Sequence, residues 1–380
     1  MPLKIMLKSS SSFLLAFVML LLAACGNNAA DTSTTNTITT DTTNTVQTAN
    51  DIKPTQPNPA WGKDMSDQMA VVIEKLASYK APPLVSLSAT EARKQPSPAD
   101  AAMAVIQEHH ISLPPDNVDT TGKDIPVKGG QIHVRIYTPK TGKETYPVIV
   151  YYHGGGWVIA NLDTYNASAQ GLANQVEAVV VSVAYRQAPE FKFPTAHNDC
   201  YAAYEWVVKN AASIKGDPAK VAVVGESAGG NLACAVSMMA RDKNFQLPLH
   251  EVLVYPISGY DFTTPSYQES DSTKPLSSGL MKWFFDKYLN SPADGKSPMI
   301  SLVTANLKGL PPTTIISAEY DPLRSEGETL ANMLEKAGVD VKRKVFDGTT
   351  HEFFGMAPVV PEAKDAQEMA SSALKNAFNK

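Results

Sequence analysis

The chain has 380 residues, 43% hydrophobic and 19% charged, which is ordinary for a globular protein with room for one large core or two smaller ones. Its formal charge is −5 and no dense Lys/Arg run interrupts it, so nucleic acid is excluded as a partner.

Lys4 and Lys8 precede an apolar run from Phe13 to Ala24, long enough for a secretory h-region and short for a bilayer span. Residues 1–24 therefore read as a signal peptide. The run closes on Leu22-Ala23-Ala24-Cys25, which resembles the lipobox of bacterial lipoproteins. That resemblance implies cleavage before Cys25, a lipid on its sulfur, and an exported protein held to a membrane through that anchor. Gly26 follows where an aspartate would resemble inner-membrane retention, so the outer membrane or another part of the cell envelope is the expected location. Removal of residues 1–24 takes away two lysines and no acids, moving the formal charge from −5 to −7. From Asn27 to about Pro59 the only sizeable apolar side chains are Ile38, Val46 and Ile52. Such a stretch buries too little surface to offset its ordering entropy, and 25–59 is expected to be a flexible tether.

The folded domain is expected over 60–380. Met65, Met69, Val72, Ile73 and Leu76 recur at helical spacing, and Ser97-Pro98 offers an N-cap and first-turn proline for a helix from Ala99 to Ile111. These helices, within 60–115, are expected to form a cap. His109 and His110 are adjacent on that helix, point about 100° apart and read as surface residues, not metal ligands. Ile132, Val134 and Ile136 alternate with polar neighbours as in a half-buried strand. Solid apolar runs follow at 148–152, 179–183, 221–224, 252–254 and 314–316, and 341–346 reads as the last strand. Helical patterns at 196–210, 231–241 and 326–336 lie between them, which predicts a mostly parallel sheet with helices on both faces. Ser277 is a candidate cap for a helix within 258–290 that returns to the rim and completes the cap. Cys200 and Cys234, on apolar helical faces, read as buried free thiols, with a disulfide between them as the alternative that an oxidising compartment permits.

Ligands of such sheets bind at the carboxyl ends of the strands, and the motifs gather there. His153-Gly154-Gly155-Gly156-Trp157 follows one strand, and bare backbone N–H groups in such a loop suit a forming oxyanion or a phosphate. The lysine-hydroxyl pair of a phosphate loop and the dinucleotide glycine spacing are both missing. Gly225-Glu226-Ser227-Ala228-Gly229 follows another strand and opens a helix, the pattern of a strained turn that lifts a serine hydroxyl above the sheet. Downstream, Asp321-Pro322-Leu323-Arg324 ends a strand in a carboxylate, with Glu319 and Asp347 as rival acids. His351 follows the last strand, where its ring can reach Ser227 and Asp321. His133, His197 and His250 carry no neighbouring catalytic signature and read as structural.

The pair HGGGW and GESAGG, in this order, resembles the hormone-sensitive-lipase-like branch of the α/β-hydrolase superfamily. The resemblance implies an α/β-hydrolase fold and a carboxylesterase acting on short uncharged acyl esters. It further implies a Ser227–His351–Asp321 triad and an oxyanion hole from the N–H groups of Gly155, Gly156 and Ala228. His153 and Asp163 are implied to brace the glycine loop, and no metal or organic cofactor is required. Two departures stand out: Ser325 replaces an aspartate of the family's DPLRDE run, and Glu352 follows the histidine where glycine is usual. Glu352 should raise the imidazole pKa. An amidase or peptidase would use the same triad, and a catalytically silent binding lipoprotein would keep the fold alone.

Overall fold

The computed structural model describes residues 48–379. The signal segment, Cys25 and most of the expected tether lie outside the described residues. Among the described residues there are eight strands: β1 (Val118–Val127), β2 (Gly130–Pro139), β3 (Tyr146–Tyr152), β4 (Val179–Ala184), β5 (Gly216–Glu226), β6 (Glu251–Val254), β7 (Thr313–Tyr320) and β8 (Val341–Thr350). They form one sheet in the order β1-β2-β4-β3-β5-β6-β7-β8. β2 runs antiparallel to both β1 and β4, and every pairing from β4 across to β8 is parallel.

The helices are α1 (Asp67–Ser78), α2 (Ala89–Ala92), α3 (Pro98–Glu108), α4 (Asn166–Val176), α5 (Thr195–Asn210), α6 (Ala228–Asp242), α7 (Pro265–Glu269), α8 (Ser278–Tyr288), α9 (Arg324–Lys336) and α10 (Pro361–Phe378). Alternate residues of the central strands feed two separate cores. Val148, Val150, Val221, Val223 and Leu253 pack with apolar residues of α5, α6, α8 and α9. Ile149, Tyr151, Ala222, Val224 and Val252 pack with those of α1, α3, α4 and α10. Burial on both faces is why these strands read as unbroken apolar runs, with the helices that connect them divided between the two sides of the sheet.

The expected boundary at residue 59 is corrected. Ile52 is only 1% exposed, and Gln68 donates to the carbonyls of Ala49 and Ile52. The N–H groups of Thr55 and Gln56 both reach the Glu74 carboxylate. One apolar anchor and these charge-assisted bonds hold residues 48–59 along α1, a saving that composition alone does not register. β1 was not expected, because six successive exposed residues between Val118 and Ile125 hide its alternation. α3 begins as expected, with Ser97 Oγ accepting from Asp100 N and Asp100 accepting in return from Ser97 N, but stops at Glu108. Cys200 and Cys234 are buried free thiols.

Candidate active site

Ser227 stands between β5 and α6 at φ 56° and ψ −118°, a conformation that L-residues adopt only under constraint. The constraint is visible. Its N–H donates to Val254 O at 2.8 Å, and its own carbonyl accepts from Asn231 and Ile257. A Cβ on Gly225 would lie 2.0 Å from Gly229 O, and one on Gly229 would lie 1.9 Å from Tyr152 O. Only hydrogen fits at either position, so the chain turns sharply enough to set the serine, itself only 3% exposed, at the carboxyl end of the strands.

β7 delivers the acid and β8 the base. Asp321, next after β7, is 2% exposed; its Oδ1 accepts from Leu323 N at 2.9 Å and its Oδ2 lies 2.7 Å from His351 Nδ1. The other ring nitrogen of His351, Nε2, is 2.9 Å from Ser227 Oγ. Three residues from separate strand ends thus form one hydrogen-bonded line, with Tyr255 packed against the imidazole at a centroid distance of 4.4 Å. Burial pulls the His351 pKa down, but the charge and hydrogen bond of Asp321, with Glu352 and Glu226 behind, outweigh it and hold the imidazole above its ordinary 6.5. Of the rival acids, Glu319 is spent on Gly348 N at 2.7 Å, and Asp347 is exposed on β8.

The glycine loop follows β3. Gly155 and Gly156 take φ +90° and +59°, and both line the same cavity of about 530 Å³ as Ser227 and His351. Ala228 is the first residue of α6, directly after the serine. His153 lies beneath the loop, stacked on Tyr185 at 4.4 Å, and burial lowers its pKa to about 4. It is neutral and structural, as expected of a brace. Asp163 differs from expectation: its carboxylate is exposed and pairs with Arg135 at 2.7 Å. Ser325 exchanges hydrogen bonds with Ser266 of α7, so the replacement of the family's aspartate joins two helices and leaves Asp321 untouched. The cavity walls come from the first cap segment, through Leu84, Met103 and Ile106, and from α8, through Leu280 and Phe284.

One cluster was not anticipated. Glu226, next to the serine, is 1% exposed and receives hydrogen bonds from Tyr151 and Tyr255, each at 2.5 Å. Burial, reinforced by the nearby Glu352 charge, raises its pKa to about 7. Glu352 itself accepts from Tyr165 at 2.6 Å and lies 3.8 Å from His351 Nε2. The available signal was a tyrosine at the end of β3 and another just past β6, at the level of the glutamate. His197 also has a structural place, buried between Tyr288 and Asn231.

A mostly parallel eight-stranded sheet with an antiparallel edge and a strained serine after β5 is the architecture of an α/β hydrolase. The family model described as the alpha/beta hydrolase fold matches residues 149–355, and the chain belongs to that family, in its hormone-sensitive-lipase-like branch. The chain is 38% identical to the carboxylesterase NlhH of Mycobacterium tuberculosis over 252 residues, covering 65% of this chain and 79% of that protein. It is 31% identical to the ethyl acetate hydrolase of Pseudomonas putida over 316 residues, 82% of this chain and 98% of that one. Among solved structures, a thermostable esterase of Pseudomonas putida superposes with a TM-score of 0.76 at 31% identity, covering 83% and 98% of the two chains.

Proposed function

We propose that this carboxylic ester hydrolase is a serine carboxylesterase for short, uncharged acyl esters, working through an acyl-enzyme on Ser227. The observation that carries the reading is the unbroken line from Ser227 Oγ to His351 at 2.9 Å and on to Asp321 at 2.7 Å, opening into the cavity.

His351 takes the Ser227 proton as the oxygen attacks the ester carbonyl, and Asp321 holds the imidazole in the tautomer that presents Nε2 to the serine. The N–H groups of Gly155, Gly156 and Ala228 take up the oxyanion; losing one such donor typically costs ~10²–10³ in turnover. His351 then protonates the departing alcohol, and water repeats the cycle on the acyl-enzyme. The substrate class is supported by the cavity. Its lining is more apolar than polar, and three carboxylates, Asp100, Asp163 and Glu352, outnumber the one guanidinium, Arg93, which is paired with Glu190; that balance disfavours an anionic acyl group. Phe284 packs directly against Gly156 of the glycine loop and brings its ring to the wall of the cavity beside the serine, which supports a short acyl group.

A series of aryl acetate, butyrate, octanoate and decanoate, run beside acetanilide, tests the assignment. Fastest kcat/KM on acetate or butyrate with the anilide far behind is the expected result; preference for decanoate or for the anilide would overturn it. The same proposal has the mature chain exported and anchored through Cys25, so Cys25→Ser should move it from the membrane to the soluble fraction of the envelope.

A further inference from the structure

Glu352 occupies a position that the triad reaction does not use. Its Oε1 lies 3.8 Å from His351 Nε2, the nitrogen that faces Ser227, and its carboxylate shares the cavity wall with both. The side chain is 20% exposed against 3% for His351, so it faces the cavity rather than the core. Tyr165 donates to Oε1 at 2.6 Å and fixes the carboxylate in place, leaving its remaining lone pairs available. Tyr165 is in turn held against the glycine loop, since a Cβ on Gly154 would fall 2.2 Å from its hydroxyl.

We propose that Glu352 orients the water that hydrolyses the acyl-enzyme and thereby favours water over alcohols as the acyl acceptor; this rests on the Ser227 acyl-enzyme proposed above. A water attacking the acyl carbonyl gives one proton to His351 Nε2 as its oxygen bonds to the carbonyl carbon. Its second O–H stays intact and needs an acceptor. An oxygen held at hydrogen-bond distance, ~2.8 Å, from both His351 Nε2 and Glu352 fits the 3.8 Å gap between them. As the tetrahedral intermediate collapses, His351 returns the proton to Ser227 Oγ and the carboxylic acid leaves with the water's second hydrogen still on its oxygen. An alcohol has only one O–H, which goes to Nε2. Its alkyl group offers the carboxylate no donor, so Glu352 assists neither alcohol attack nor, along the same path in reverse, alcohol departure. The geometry therefore discriminates by proton count, before any question of size.

The position suits removal of the carboxylate without backbone strain. Glu352 has φ 71°, left-handed, where glycine is at ease. Wild type, Glu352→Gly, Glu352→Gln and Tyr165→Phe would be given an aryl acetate in water with graded methanol, on the alkaline plateau of each pH profile. Methyl acetate and acetate are quantified alongside the phenol burst. For Glu352→Gly the methyl acetate to acetate ratio should rise roughly tenfold, the loss of a hydrogen bond to a charged group. kcat should fall, a burst should appear, and the second-order acylation constant should change far less. Glu352→Gln and Tyr165→Phe should move the ratio the same way by less, and they carry the test if the glycine variant does not fold. An unchanged ratio in the folded variants, or one shifted toward acetate, overturns the inference while leaving the esterase reading intact. Failure of wild type to release phenol from the ester would strike the esterase reading itself and take this inference with it.

Discussion

Gly156→Ala is the substitution whose consequences follow most directly from the geometry. Gly156 has φ +59°, and a Cβ there would fall 2.2 Å from Cδ1 and Cγ of Phe284. The left-handed conformation costs an L-residue about 1–2 kcal/mol, and overlap with a packed ring adds about 1–3 kcal/mol, so the variant should lose about 2–5 kcal/mol of stability. Phe284→Ala removes the obstacle but leaves the backbone cost. A double-mutant cycle between the two should therefore return a favourable coupling of about 1–3 kcal/mol. Gly155 is the control. It has φ +90°, and its Cβ would meet Ile159 O at 2.2 Å, a backbone atom of the same loop that no side-chain truncation can move. Gly155→Ala combined with Phe284→Ala should be additive within about 0.5 kcal/mol. Urea unfolding of the six proteins gives both couplings, and aryl acetate turnover should fall ~10²–10³-fold in either glycine variant that displaces an oxyanion donor. Gly156→Ala with wild-type stability and turnover, or equal coupling at both glycines, would refute the reasoning.

Asp321→Asn should cut kcat by about 10⁴ with little change in KM, because the amide cannot hold the required imidazole tautomer; a loss of less than tenfold would point to another acid. The acid limb of kcat/KM should lie above the ordinary imidazole value of 6.5, since only neutral His351 accepts the serine proton and its pKa is raised. Glu352→Gln should move that limb toward lower pH, and a shift the other way would contradict the assigned cause. Glu251 is fully buried, and burial raises its pKa from 4.5 to about 7. The folded state keeps a proton that the unfolded chain releases, so stability is full below the unfolded value and falls as pH rises through about 7. At ~1.4 kcal/mol per pH unit the loss from Glu251 is about 3 kcal/mol, and Glu251→Gln should remove that share in urea titrations across the range while the similar contribution of Glu226 remains. An undiminished pH dependence in the variant would place the proton elsewhere.

Much of this was legible because the chemistry sits where local pattern is strongest. The strands buried on both faces announce themselves as apolar runs, and each functional motif follows directly from one. The Ser227 elbow and the glycine loop need hydrogens where side chains would collide, so their glycines are visible as motifs. What escaped depends on contacts distant in sequence. β1 pairs with β2 through its backbone while its side chains face solvent, leaving no periodicity to read. Residues 48–59 are held by Glu74 and Gln68 of α1, partners that composition cannot nominate. The tyrosine cage around Glu226 arises from strands adjacent in the sheet but separated along the chain, and Asp163, in the loop before α4, pairs with Arg135 of β2, a strand that is not its neighbour in sequence. The Glu352 departure was visible as a letter; its distance from His351 was not.

The central claim is that the Ser227 hydroxyl is the reactive nucleophile of this chain, activated by His351. Treatment of the protein with a fluorophosphonate, followed by peptide mapping, tests it most directly. A single stoichiometric adduct on Ser227 is expected, lost in Ser227→Ala and strongly slowed in a folded His351→Ala variant. Labelling at another residue, or undiminished labelling without His351, would contradict it.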